Sequence, residues 1–316
     1  MKRVAAVIVT FNPEKEHIKN IEKISKYVEK VFLVDNTEGK VDFNLPLNVE
    51  IIKNEKNLGI ASGFNIGIKL SVKEGFDLLF LFDQDSKISE DFVKQMVDFS
   101  TLNKDVFLFA PKVFDYNANV YLNYLKLNKF SIKKLKCNKS IIYPTFVISS
   151  GSLLDLKKIK EIGLFKEDYF IDFVDNEYCL RILKKGFRIA VNCNIEMKHA
   201  IGKRENKKVF KGFYIRPNFH PPLRRYFISR NSIRTTIDYF TFLPSIFLFC
   251  IRVLVHEVLS ILLFESDKSK KLKAVFIGIK DGIFNNMGKC PYMFCYNKEK
   301  KENKSNGKIQ NTTRKR

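Results

Sequence analysis

An α/β chain with a mostly parallel sheet and a helical C-terminal part is the fold class that this 316-residue sequence predicts. Three observations predict it. Short apolar runs alternate with amphipathic stretches through the first 115 residues, which is the spacing of βαβ units. The run LLFLFDQDS (78–86) is apolar on five successive residues rather than on alternate ones, as in a strand covered on both faces. From about residue 225 the apolar stretches lengthen to helical size.

The elements follow in order. VAAVIVTF (4–11) reads as the first strand. Two basic residues precede it, but its apolar run is short, lacks a small-residue cleavage site and enters Asn12-Pro13, unlike a signal peptide. PEKEHIKNIEKISKYVEK (13–30) is an amphipathic helix with Pro13 in its first turn. VFLVDN (31–36) and NVEIIK (48–53) are strands, and IASGFNIGIKLSVKEG (60–75) is a helix closed by Gly75. DLLFLFD (77–83) is a strand, SEDFVKQMVDFS (89–100) a helix opened by Ser89, and VFLFAPKV (106–113) a strand. Between 120 and 150 shorter strands carry basic residues and end in IIYPTFVISSGSLL; a helix near 156–162 and another beginning in VDNEYCLR follow. No internal repeat is visible.

Hydrophobic content of 45% and aromatic content of 13% can build a sizeable core. Six cysteines show no CxxC spacing, so the sequence predicts reduced thiols rather than a zinc site or disulfides. The net charge of +22 is unevenly placed: residues 1–125 sum to −2, 126–139 to +6, 203–234 to +9 and 298–316 to +6. The N-terminal part is electrically ordinary, and the later part calls for an anionic partner such as nucleic acid, an acidic membrane or a phosphorylated lipid.

Asp83 and Asp85 are two residues apart at a strand's carboxyl end, where open α/β sheets bind ligands. A divalent cation with phosphates on its far side would relieve their repulsion; a solvated turn capping the next helix is the alternative. Asp175, Glu177 and Arg181 fall in the first turns of a helix, where carboxylates also serve as simple caps. Gly63 and Gly67 are costly inside a helix and imply close approach to the sheet or a nucleotide.

Taken together, IVTFNP (8–13), LVDN (33–36), NLGIASGFNIGI (57–68), FDQDS (82–86), SSGSLL (149–154), FIDFVDNEYCLR (170–181) and HAIG (199–202) resemble the family 2 glycosyltransferases. Within them the chain is most similar to the bacterial rhamnosyltransferase branch, over roughly residues 4–235. The resemblance implies a GT-A fold, a Rossmann-like nucleotide-diphospho-sugar transferase sheet, for residues 1–235. A nucleotide-binding half (1–115) would precede an acceptor-binding half (116–235). It implies an inverting transfer, with rhamnose from dTDP-rhamnose as donor, a lipid-linked or growing surface polysaccharide such as O-antigen or capsule as acceptor, and Mg²⁺ or Mn²⁺ as cofactor. By the same resemblance Asp85, then Asp83, and His199 are metal ligands. Thr10, Asp35, Asn57, Asn65 and Asp83 contact the nucleotide-sugar. Asp175 is the base, with Val174 standing where the family's pair has Glu. Ser150 and Gly151 lie on an acceptor-side loop. Glu177 and Arg181 support the acceptor site, and Arg224, Arg225 or Arg230 meets a diphosphate. Asp172 has no assigned role.

Residues 236–297 are expected to form an amphipathic, membrane-associating helical region, and 298–316 a basic disordered tail. FTFLPSIFLFCIRVLVHEVLSILLF (240–264) contains Arg252, His256 and Glu257, so a spanning helix is not expected. Asp238, Thr241, Ser245, Arg252, His256 and Ser260 share one stripe that would face away from lipid or from a second subunit. These features place the chain in the cytoplasm, peripheral on the inner face of the membrane, with a homodimer as the other use of the apolar face. A UDP-hexose donor and a non-catalytic nucleotide- or nucleic-acid-binding protein are the competing functions. No nucleic-acid motif accompanies the charge, and VTFNPEKE lacks the glycines of a nucleotidyltransferase phosphate loop.

Overall fold

The computed structural model describes residues 2–39, 44–101, 105–199, 207–210, 213–215 and 217–295. The expected disordered tail and most of HAIGKR lie outside them. The first half runs β1 (Val4–Thr10), α1 (Lys15–Ser25), β2 (Lys30–Asp35), β3 (Val49–Lys53), α2 (Ile60–Lys73), β4 (Leu78–Asp83), α3 (Phe92–Thr101) and β5 (Val106–Asp115). The second half adds β6 (Val120–Tyr121), a hairpin of β7 (Tyr124–Leu127) and β8 (Ile132–Leu135), β9 (Ile141–Ile142) and β10 (Ser152–Asp155). Next come α4 (Ile159–Ile162), α5 (Val174–Lys184), β11 (Arg188–His199), β12 (Lys207–Phe210) and β13 (Phe213–Ile215). Three helices end the described chain: α6 (Pro222–Tyr239), α7 (Ser245–Phe264) and α8 (Lys268–Ile283).

Among the described residues one sheet has nine strands in the order β3-β2-β1-β4-β10-β5-β11-β9, with β6 on β5. The β3-β2-β1-β4 half is parallel, and β10 is antiparallel to both β4 and β5. Residues 78–82 are all buried, because Leu79 and Leu81 join the core on one face of the sheet and Leu78, Phe80 and Phe82 the core on the other. The unbroken apolar run of β4 is therefore the signature of a strand with no wet face. Its carboxyl end delivers Asp83 to the sheet edge. On α2 a Cβ at Gly67 would sit 2.3 Å from Val7 Cγ2, and one at Gly63 2.7 Å from Val9 Cγ2. These glycines let the helix touch β1; they do not approach a nucleotide.

Several expectations change. Helix α1 is shorter than 13–30 and starts from a capping box between Glu14 and His17. Helix α3 starts at Phe92, since Ser89 donates to the Asp91 carboxylate ahead of it. The 156–162 segment is a 3₁₀ turn and one short α turn. The cysteines are not all thiols: Cys137 is disulfide-bonded to Cys193 and Cys290 to Cys295, with Cys179 and Cys250 free and buried. Sequence spacing could not show the first pair, because 56 residues separate partners that the Cys193 N–H bond to the Ser140 carbonyl draws together.

The boundary expected at 235/236 falls inside α6, which runs unbroken to Tyr239. Helix α8 lies tight along α6, because a Cβ on Gly278 or Gly282 would come within 2.5 Å of the Tyr226 or Arg230 carbonyl. Buried Arg225 pairs with Glu257 and Glu265, and Lys271 donates to Glu265 at 2.8 Å, locking the three helices together. Helix α7 is inside-out as a result. Ser245, Glu257 and Ser260 are buried, whereas Phe247, Leu248, Ile251, Val255, Leu262 and Leu263 are 40–51% exposed. By length and composition alone α7 could cross a membrane, but its Glu257 is paired with Arg225 of α6 and its Ser245 with the Asn128 carbonyl of the β7–β8 hairpin.

Gly67→Ala adds roughly 1 kcal/mol of helix propensity yet drives a methyl into Val7. Net destabilisation of about 1–3 kcal/mol is expected, read as a lower melting temperature. An unchanged or higher midpoint would show that β1 yields to the methyl at no cost.

Candidate active site

The turn after β4 is fixed from two sides. Lys87 and Lys198 exchange backbone hydrogen bonds at 2.9 and 3.1 Å, which sets the end of β11 beside Asp83-Gln84-Asp85. Ser150 anchors the same turn: its hydroxyl accepts from the Asp83 N–H at 3.3 Å and pairs with the Ser86 hydroxyl. His199, the last residue of β11, then faces both carboxylates, with Nε2 3.6 Å from Asp83 Oδ2 and Nδ1 3.2 Å from Asp85 Oδ1. One ligand atom from each of the three lies within 4.8 Å of the others.

The electrostatics of this cluster are unfavourable without a cation. Burial in the cleft, reinforced by the charges of Asp85 and Asp175, pushes the Asp83 carboxyl up to about 6, against the pull of His199 and Arg224. Its side chain still keeps 37% of its surface open, so it faces the cleft rather than the core. Burial disfavours charge on His199 too, but Asp85, Asp83 and Asp115 outweigh it and raise the imidazole above its ordinary value. His199 Nδ1 is buried and close to Asp85 yet makes no well-formed hydrogen bond. Two carboxylates and an imidazole with an unsatisfied ring nitrogen fit a divalent ion.

Asp175 stands on the first turn of α5, close enough for its charge to act on Asp83. Burial raises its carboxyl above the usual range, opposed by hydrogen bonds from Ser149. The loop leading to it is strained: Phe170, Asp172 and Phe173 all have positive φ, at 63°, 59° and 60°. Such conformations persist only where surrounding bonds over-determine them. Here α6 supplies those bonds. Asn231 Nδ2 donates to the carbonyls of Tyr169, Ile171 and Asp172 at 2.8–2.9 Å, while Arg230 holds the carbonyls of Asp168 and Gly288. On the other side the Ile60 N–H donates to the Phe170 carbonyl at 3.0 Å, and Gly59 leaves room for that carbonyl, which would lie 2.5 Å from a Cβ there. Asp172 receives a bidentate ion pair from Arg224, which neutralises one more carboxylate beside Asp175.

Of the candidate residues, the structure therefore brings together Asp83, Asp85, His199, Ser150 and Asp175. Others have inward partners instead. Glu177 is buried between Arg181 and Tyr239, and Arg181 also holds the Leu164 carbonyl. Both are tied into this internal network. Arg230 is fully buried on backbone carbonyls, and Arg225 on glutamates, so Arg224 is the arginine of that group that reaches the cleft. Asn65 clamps Phe165 and Glu167 rather than a ligand. Thr10 and Asp35 are buried, and Asp35 already accepts from Thr10, Thr37 and Lys53, pinning the ends of β1 to β3. Asn57 closes the turn onto Gly59 N–H. Gly151, with φ +77°, packs on Met197. The sequence reading missed Ser149, Asn231 and exposed Phe11 at the end of β1. Phe11 and Ser149 stand in the quoted IVTFNP and SSGSLL without a role of their own, and Asn231 stands beside an arginine in RRYFISRNSIR (224–234).

A cavity of about 420 Å³ opens beside Asp175 and Ser150, walled by Pro111, Tyr124, Phe146 and Phe249. Phe249 comes from α7, so the C-terminal helices form part of the cleft.

Residues 5–162 match the family model for glycosyl transferase family 2. The chain is 30% identical over 238 residues to the dTDP-rhamnosyl transferase RfbF of Shigella flexneri, covering 72% of this chain and 78% of that one. Its fold is similar to the crystal structure of GalNAc-T7 with UDP, GalNAc and Mn²⁺ (TM-score 0.56, 13% identity, 91% of this chain and 55% of that one). It is also similar to that of S. aureus TarS (TM-score 0.51, 12% identity, 88% and 55%). The chain spans about half the length of these two solved structures, and at such identity they show the GT-A fold alone.

Two substitutions test this geometry. Asn231→Ala frees three carbonyls of the strained loop; turnover should fall about tenfold or more while metal-dependent nucleotide binding persists, and equal loss of both would make Asn231 merely structural. Ser149→Ala removes a bond that favours the charged carboxylate. Asp175 then loses its proton only at higher pH, so the acid limb of kcat should move up in pH. A fixed limb would detach Ser149 from the titrating group.

Proposed function

The chain belongs to glycosyl transferase family 2, and from that premise we propose that it transfers rhamnose from dTDP-rhamnose to a hydroxyl of a lipid-linked or growing surface polysaccharide, with inversion. The observation that carries the transfer is that Asp175 lies close enough to act on Asp83, in the cleft where Asp83, Asp85 and His199 could hold a cation. The 30% identity to a dTDP-rhamnosyl transferase supports the donor.

Asp85, Asp83 and His199 would hold Mg²⁺ or Mn²⁺, whose Lewis acidity stabilises a departing nucleoside diphosphate. Asp175 takes the proton of the acceptor hydroxyl as it attacks. Its raised proton affinity suits that step, and Ser149 keeps the carboxylate oriented. Arg224, by pairing with Asp172, offsets part of the negative charge that presses on the base. With Thr10 and Asp35 buried beneath the strand ends, exposed Phe11 offers an aromatic face for the nucleoside.

The outward apolar face of α7, followed by Lys268, Lys270 and Lys273, supports a peripheral seat on the anionic inner leaflet.

Asp175→Asn should abolish transfer while leaving dTDP binding nearly intact; lost nucleotide affinity would remove it as base. Titration calorimetry with dTDP and UDP, each with and without Mn²⁺, should show metal-dependent binding that prefers dTDP and weakens in Asp85→Ala. A UDP preference would overturn the donor. For the membrane seat, Phe247→Ser with Ile251→Ser and Val255→Ser should lose flotation with anionic vesicles, and retained flotation would refute it.

A further inference from the structure

Beside the Asp175 cavity lies a second one of about 520 Å³, between α6 and α7, and the two share Leu125, Asn176 and Phe249 as a common wall. The first is mainly apolar apart from Asp175, Asn176, Ser150 and Asn123; the second is lined by Arg224, Arg252, His220, His256 and Asn218. Its acids are already matched. Asp172 is neutralised by Arg224, and Glu257 by Arg225 from behind. Asn218 donates to Glu257 at 3.4 Å and His256 Nδ1 lies 3.5 Å from it, whereas Arg252 is exposed and has no ion pair among the described residues, so the cavity carries a surplus positive charge. The same helix that supplies Arg252 and His256 turns Phe247, Leu248, Ile251 and Val255 outward.

We propose that this second cavity binds the phosphate groups of a lipid-diphosphate acceptor, with the first sugar of that acceptor seated at Asp175 and its hydrocarbon chain leaving over the apolar face of α7. The order of surfaces along the groove (a base, a cationic cavity, an apolar helix face) matches the order of parts in such a molecule: hydroxyl, diphosphate, lipid. Arginine is suited to phosphate oxygens because its planar fork presents several donors at once. The volume admits more than a single phosphate. The inference rests on the glycosyltransferase reading and deepens it, by naming how the acceptor is held.

The test uses the full chain, EDTA to keep diphosphate from bridging a cation at the acidic cluster, and geranylgeranyl diphosphate and inorganic diphosphate as separate probes in calorimetry. The prenyl compound should bind, and Arg252→Gln, at an exposed position, should weaken it about tenfold or more. Inorganic diphosphate should bind more weakly but with the same dependence on Arg252. Equal affinity for the two probes would overturn the lipid part of the assignment. No binding, or binding indifferent to Arg252→Gln, would overturn the site. A parallel titration with dTDP and Mn²⁺ separates the two readings: if it binds and the prenyl probe does not, only this inference fails. If neither binds, the glycosyltransferase reading fails with it.

Discussion

Negative charge is crowded into one cleft of this protein, and most of its architecture can be read as the means of keeping it there. Asp83, Asp85, Asp172 and Asp175 converge at the carboxyl edge of the sheet, in surroundings that resist the ionisation of Asp83 and Asp175. The carboxylates have different partners. Asp172 has an arginine, Asp175 has a serine, and Asp83 and Asp85 share an imidazole whose proton affinity they raise against the cost of burial. Unrelieved, such a cluster would spread or take up protons. The parallel β1–β4 ladder, the serine pin at Ser150 and the backbone exchange between Lys87 and Lys198 prevent the spreading. What they preserve is a site whose electrostatic deficit a cation and a diphosphate can fill together.

Helix α6 connects this site to the C-terminal region. Its Asn231 and Arg230 grip the loop that ends in Asp175, its Arg224 neutralises Asp172, and its Arg225 is buried against α7 and α8. One helix face therefore serves the catalytic cleft while another builds the helical layer. The last helices are thus part of the active unit rather than an accessory to it. The placement of Phe249 in the wall of the cavity beside Asp175 leads to the same view.

The inside-out character of α7 follows from this arrangement. The buried arginine demands carboxylates, which are costly to bury unpaired, and Glu257 must face inward to meet it. With Glu257 turned onto α6, the outward side of α7 is mostly apolar, with Arg252 as its exposed charge. Such a surface is a liability in water, and it is the feature on which the proposed bilayer seat rests.

Sequence by itself determined the strand and helix alternation, the double-sided burial of β4 and the emergence of Asp83 and Asp85 at its end, since these depend on apolar periodicity within a few residues. It also marked Asp175 and His199 through the order of motifs. Boundaries were less legible where side chains compete locally with the helix, as at Ser89. The tertiary structure alone decided which polar residues look outward. Glu177, Arg181, Arg230, Asn65, Thr10 and Asp35 carry chemistry suitable for a ligand, yet each is satisfied by partners up to about a hundred positions away. Ser149 and Asn231 received no role from the sequence for the same reason, because their roles are defined by carbonyls and a carboxylate that only folding brings within reach. Burial is a property of the packed chain, and a charged group's purpose is set by what it meets there.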